Sequence, residues 1–185
     1  DNPEAKDILP EVRRLIFEGK SKEAKPIMEK KFRTPRNGMP YQTIGSLKLH
    51  FDGHENYTDY YRDLDLTRAV ATTRYKVNGV TYTRELFTSF ADNVVIMQIT
   101  SDKQGALNFT ADYVSPLKHT VSTKKGKLIL SGKGADHEGV PGVIRLENQT
   151  FIKTTDGKVK TSDNKISVSD ATTATIYISA ATNFV

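Results

Sequence analysis

Asn78-Gly79, set between Tyr75/Val77 and Val80/Tyr82, constrains the fold more tightly than any other feature of the 185 residues. A two-residue type I′ turn needs positive φ at both central positions. Asn and Gly supply this at least cost, and the turn's twist matches that of paired antiparallel strands. Thr73–Phe87 therefore predicts a β-hairpin.

The same period-two code runs from Tyr41 onward. Leu47, Leu49 and Phe51 alternate with polar residues in Tyr41–Phe51, and threonine, whose branched side chain suits a pleated surface, is abundant throughout. Further strands are predicted at Val94–Thr100, Leu107–Ala111, Lys127–Leu130, Val143–Glu147, Phe151–Thr154, Ile166–Ser169 and Thr175–Ala180. Turn clusters separate them at Asp102–Gly105, Lys124–Gly126, Asp156-Gly157 and Ser162–Asn164. About ten short strands at this spacing predict a mainly β protein, an antiparallel β-sandwich, rather than a βαβ sheet.

Residues 1–36 carry a different period. Asn2 reads as an N-cap with Pro3 at the first helical position, and Ile8, Val12, Leu15 and Ile16 form one apolar stripe. Pro10 predicts a kink or a separate short helix, and Gly19 a helix stop. Ser21 reads as the cap of a second helix whose buried face is Ala24, Ile27, Met28 and Phe32, with Pro26 late for a first turn. The expected organisation is a short helical hairpin over 1–36, packed on the sheet, followed by the sandwich over 37–185. There is no initiator Met and no leader-like segment, and an apolar strand runs to Val185, so the chain is expected to be an excised piece.

Composition excludes several classes. No apolar run approaches the ~18 residues of a helical membrane span. The absence of cysteine removes disulfides, thiolate metal sites and a thiol nucleophile. The net charge of +5 comes from 20–36, where seven basic residues face two acidic ones with Phe32 as the single aromatic; a nucleic-acid groove interleaves many more aromatics with its cations. No nucleic-acid partner is expected. Gly132-Lys133-Gly134 lacks the rest of a phosphate loop, and neither G-x-S-x-G nor H-E-x-x-H occurs.

Two polar constellations remain. Asp136, His137 and Glu138 are metal-ligand types, but adjacent residues diverge in direction, and with Gly139, Pro141 and Gly142 alongside they read as a solvated turn. His54–Leu66 holds Glu55, Asp59, Asp63 and Asp65 with Tyr57, Tyr60 and Tyr61. Paired carboxyls are what glycosidic cleavage requires and tyrosines can stack on sugar rings, yet no pairing is legible in linear order. His50, on a strand, and His119, in a loop, have no local partner and read as structural.

The run Tyr61-Arg62-Asp63-Leu64-Asp65-Leu66 with Ala69, then Tyr75, Val77, Asn78-Gly79-Val80, Tyr82, Arg84-Glu85 and Phe87, resembles the N-terminal β-domain of glycoside hydrolase family 95. The likeness extends over essentially the whole chain. It implies a supersandwich of the galactose-mutarotase type, one incomplete domain of an exported bacterial enzyme, periplasmic or secreted. That enzyme would hydrolyse terminal α-L-fucosides, or α-L-galactosides, with inversion. The resemblance places the catalytic groups in an (α/α)6 barrel on which this domain packs, with a fucosylated glycan as substrate. No catalytic, cofactor-binding or metal residue is carried over to any position here, and no cofactor is implied. The alternative reading is a free-standing carbohydrate-binding or structural interaction β-sandwich.

Overall fold

The computed structural model describes residues 4–33 and 38–184 and divides the chain into two compact units. One comprises residues up to Gln42 together with Asp136–Pro141; the other is Thr43–Ala135 with Gly142 onward. The expected Asn2 cap and Pro3 lie outside the described residues.

In the first unit, α1 (Ala5–Phe17) and α2 (Ser21–Lys31) form an αα-hairpin sealed by Val12, Leu15 and Ala24, with Ile8, Ile27 and Phe32 against them. Pro10 lies inside α1, which is assigned as one helix rather than broken in two. The proline's missing N–H forgoes the bond to the Lys6 carbonyl four residues back, and its ring crowds that same carbonyl. Gly19 ends α1 as expected, at φ 75°. Its N–H donates to Ile16 O and that of Lys20 to Leu15 O, the paired closure of a Schellman motif. Lys20 also starts α2, because the N–H groups of Glu23 and Ala24 donate to its carbonyl. Ser21 is thereby drawn into the helix and is not the cap expected of it. Ile16 and Met28, expected in the seam, are 46% and 39% exposed, since two helices alone cover only one narrow stripe of each other.

The second unit is a sandwich of twelve described strands, β1 (Ser46–His50), β2 (Thr58–Asp65), β3 (Val70–Val77), β4 (Val80–Ser89), β5 (Val94–Ser101), β6 (Leu107–Val114), β7 (Lys118–Lys124), β8 (Lys127–Lys133), β9 (Arg145–Thr154), β10 (Lys158–Ser162), β11 (Lys165–Ala171) and β12 (Thr173–Thr182). The smaller sheet runs β1-β6-β11-β10 and the larger β2-β3-β4-β5-β12-β9-β8-β7, with all neighbours antiparallel. Between them lies one core in which Ile99, Leu107, Leu128, Leu130, Ile166 and Ile176 are fully buried. Each such side chain contributes roughly 1.5–3 kcal/mol relative to exposure.

The Asn78-Gly79 turn forms as expected, with φ 49° and 80° and Val77 paired to Val80. Lys125-Gly126 and Asp163-Asn164 make equivalent two-residue reversals at positive φ. Four strand expectations change. Val143–Glu147 and Phe151–Thr154 are parts of one long β9, whereas β2, β7 and β10 were not expected. All three unexpected strands stand at sheet edges. Edge strands carry charge and polarity that discourage further pairing, which erases the apolar alternation. Among the described residues no helix is long and apolar enough to cross a membrane.

Candidate functional site

β2 carries one residue too many for its partner. Thr58 is opposite Lys76 and Tyr61 is opposite Arg74, so three steps on β2 match two on β3, and Asp59 within the irregularity has φ 52°. Plain alternation would send Tyr57 and Tyr60 to opposite faces. The bulge brings both to the face that carries Tyr75, with their rings 5.5 Å apart.

β3 and β4 bring Tyr75 opposite Tyr82 and Thr73 opposite Arg84 on this same inner face. The two tyrosine rings stack at 5.6 Å, and His54, in the turn after β1, lies 4.5 Å from the Tyr82 ring. Arg84 Nη2 donates to Tyr75 Oη at 2.9 Å, and His54 Nδ1 is 3.0 Å from that same oxygen. The phenol oxygen accepts from the guanidinium and can either donate to His54 Nδ1 or accept from it, according to the imidazole tautomer. Burial, and then the Arg84 charge, lower the His54 pKa below its ordinary value, with Glu55 opposing.

Tyr57, Tyr60, Arg62 and Thr73 close a cleft of about 370 Å³ around the His54–Tyr75–Arg84 group. No acidic residue lines it. Among the described residues neither Arg62 nor Arg84 is in an ion pair, and Arg84 Nε is buried without a hydrogen-bond acceptor. A neighbouring hollow of about 500 Å³ lies between Tyr60, Arg74 and Lys76, with Asp59 held 3.1 Å from the Lys76 ammonium.

The acids singled out in His54–Leu66 are not gathered into this cleft. Asp59 is engaged by Lys76, and Asp65 accepts the N–H groups of Thr67 and Arg68 at 2.9 and 3.1 Å, capping the β2–β3 turn. Asp63 is opposite Thr72, on the outer face of the sheet, and Tyr61 is there too, under Arg74 at 5.7 Å. His50 reaches Asp112 at 2.9 Å on the exposed face of the smaller sheet. His119 is on β7, not in the expected loop, and bonds the Leu117 carbonyl through Nδ1 at 2.7 Å. Asp136–Pro141 forms a tight reversal, in which His137 and Val140 exchange backbone hydrogen bonds and Glu138 and Gly139 have positive φ. No group of three or more potential metal-ligating residues occurs among the described residues.

The cleft offers aromatic walls, two guanidinium groups and an imidazole whose pKa is held below its ordinary value. Glycosidic cleavage needs two carboxyl groups across the bond, and this lining supplies none. The sequence segment 54–66 pointed to this part of the fold. The other half of the site, Tyr75, Tyr82 and Arg84, stands in the strand pattern and in the family-like motif without a role of its own, since nothing local marks which strand residues converge.

The family model for the glycosyl hydrolase family 65 N-terminal domain matches residues 1–185. Alpha-L-fucosidase 2 of Arabidopsis thaliana is 38% identical over 136 residues, which is 71% of this chain and 16% of the plant protein. Among solved structures, "Putative kojibiose phosphorylase from human microbiome" superposes with a TM-score of 0.50 at 10% identity, over 74% of this chain and 22% of that one. At that identity the likeness is one of fold. The chain spans well under two thirds of either protein.

Proposed function

Because this chain belongs to the glycosyl hydrolase family 65 N-terminal domain family, we propose that it is the non-catalytic N-terminal β-domain of a larger exo-acting glycoside hydrolase that releases terminal α-L-fucose with inversion. The observation that carries the fucosidase reading is the 38% identity to Alpha-L-fucosidase 2, against 10% to the phosphorylase. The motif from Tyr61 to Phe87, with its resemblance to glycoside hydrolase family 95, supports the same substrate class.

In this reading the chemistry resides in a separate (α/α)6 barrel. One carboxyl group protonates the departing glycosidic oxygen while water attacks the opposite face of the sugar, across a gap of roughly 6.5–9.5 Å between the two catalytic groups. The β-domain packs on that barrel and forms one wall of its pocket. Export by a glycan-degrading bacterium belongs to the same proposal.

The test is an assay of the complete gene product on 4-nitrophenyl α-L-fucoside, 4-nitrophenyl α-L-galactoside, and kojibiose with inorganic phosphate. Release of fucose whose first-formed anomer is inverted, followed by NMR, is expected. Phosphate-dependent formation of a sugar phosphate would overturn the hydrolase reading. Turnover by the 185 residues alone would overturn the assignment of chemistry to a barrel.

A further inference from the structure

The larger sheet carries an apolar row on the face turned away from the core. Register sets Phe87 of β4 opposite Ile96 of β5, Ile96 opposite Tyr177 of β12, and Tyr177 opposite Phe151 of β9. Ile176 and Ile152, next to Tyr177 and Phe151 in sequence, are buried in the core, so the two rings are on the outer face. Phe87, Tyr177 and Phe151 are 39%, 36% and 42% exposed. At the usual strand spacing the row from Phe87 to Phe151 is about 14 Å long. The planes of Phe151 and Tyr177 are inclined by only 30°, with centroids 6.4 Å apart, so a chain lying along the row meets both in similar orientation.

Area and surroundings decide what such a row can hold. Three aromatic side chains exposed to this extent leave about 200–300 Å² of ring surface open. A stable protein contact takes about 800 Å² from each partner and keeps Lys out of its centre. Here the exposed Lys127 is directly opposite Phe151, and the exposed Lys153 follows two residues along β9. The remaining neighbours are amides and hydroxyls, among them Gln98, Gln149 and Ser179. Lys127 Nζ donates to Gln149 Oε1 at 3.0 Å, which ties that cation to a neutral partner. The hollow between Tyr177 and Phe151 measures about 140 Å³, well below the roughly 300–1,000 Å³ of a site that encloses a small molecule. The row is an open platform.

We infer that it binds an extended, neutral, β-linked glycan chain. Pyranose rings with equatorial hydroxyls present flat C–H faces that pack on aromatic rings, while the hydroxyls project sideways toward groups such as Gln98 and Ser179. One strand step is close to the advance of one sugar ring in an extended chain, so successive sugars fall on successive residues of the row. The sheet twists by roughly 20–25° per strand, which suits a single soluble chain and not the flat face of a crystalline fibre. This platform is on the opposite face of the sheet from the His54–Tyr75–Arg84 cleft and needs no catalytic group.

Calorimetric titration of the complete protein with cellohexaose and with xylohexaose, in saturating L-fucose to occupy the fucoside pocket, should show saturable binding of at least one chain. Tyr177→Ser and Phe151→Ser should each weaken it about tenfold, while hydrolysis of 4-nitrophenyl α-L-fucoside stays unchanged. Absence of binding by either chain, loss of binding when fucose is added, or full affinity in both variants would overturn the inference. Nitration of Tyr177 by tetranitromethane, read by mass spectrometry, tests the protein without a substitution. It should proceed in the free protein and be suppressed by the hexaose that binds. Protection of Tyr177 before any sugar is added means that the rest of the protein covers the row, which also refutes the platform. Binding is read without turnover, so its failure leaves the fucosidase reading standing. A protein that binds the chain and releases no fucose refutes only that reading.

Discussion

The guanidinium carbon of Arg84 lies 4.4 Å from the centre of the Phe51 ring, which itself stacks on Phe109 at 5.0 Å. Phe51 thereby joins the last turn of the smaller sheet to the core on one side and to a cation of the larger sheet on the other. A cation over an aromatic face is worth about 0.5–2 kcal/mol, depending on desolvation. Phe51→Ala removes this contact and the stacking together, and is expected to cost roughly 2–4 kcal/mol, less than the upper range for fully buried Phe because the ring is half-buried. Phe51→Leu should retain much of the packing. Urea unfolding of both variants checks the order, and equal loss would show that the apolar volume Leu retains contributes nothing and that the aromatic ring itself carries the contact.

His54 supplies a pH dependence of definite sign. Its folded-state pKa is lowered from 6.5, first by burial and then by Arg84. Between that lowered value and 6.5 the unfolded chain binds more protons than the folded one, so stability rises with pH there. The contribution is complete above 6.5 and is lost as pH falls through the folded value. His54→Gln should flatten the stability profile in this window while leaving its slope above pH 7 unchanged. A profile that keeps its slope below 6.5 in the variant would assign the dependence to other groups.

Interior strands are legible because alternation reports a face turned to a core: Leu107–Val114 and Thr173–Thr182 each set apolar residues at every second position toward the buried side. The edges are not. In Lys118–Lys124 and Lys158–Ser162 the requirement to resist further pairing outweighs the need to be buried, and polar residues fill both faces. The cleft was half-legible for a related reason. Tyr57 and Tyr60 share a face only because Asp59 is bulged, and a single non-glycine residue at positive φ leaves little trace in sequence. Arg84 joins them through register, which depends on pairings across two hairpins rather than on any local pattern.

Two glycines at nearly equal φ should respond differently to the same change. Gly79, at φ 80°, has open space where a Cβ would stand, whereas at Gly157, φ 73°, a Cβ would press on the Ser169 carbonyl oxygen and lie 2.6 Å from the Ala171 amide nitrogen. Gly79→Ala bears only the backbone cost, about 1–2 kcal/mol for a left-handed L-residue. Gly157→Ala adds a collision with backbone beside Asp156, whose carboxylate holds the N–H and hydroxyl of Thr172 at 2.7 and 2.6 Å. It should be the more destabilising of the two, by thermal unfolding. Equal shifts in Tm would mean that the β9–β10 turn relaxes without cost.

Tyr113 ties the two sheets together through its hydroxyl. The phenol, on β6, donates to Asn148 Oδ1 at 2.9 Å and also bonds the buried Thr150 hydroxyl, both on β9. Burial raises its pKa to about 12, with the Thr150 hydrogen bond opposing. The folded state therefore keeps its proton where an unfolded phenol, near 10, loses it, so the stabilisation is full below pH 10 and declines as pH rises toward 12. Tyr113→Phe leaves Thr150 without this partner in the core and should cost about 1–3 kcal/mol at neutral pH. The same variant should remove a late-ionising phenol from the absorbance titration at 295 nm. If that titration is unchanged, burial is not what holds the Tyr113 proton, and the cross-core hydrogen bonds do not persist in solution.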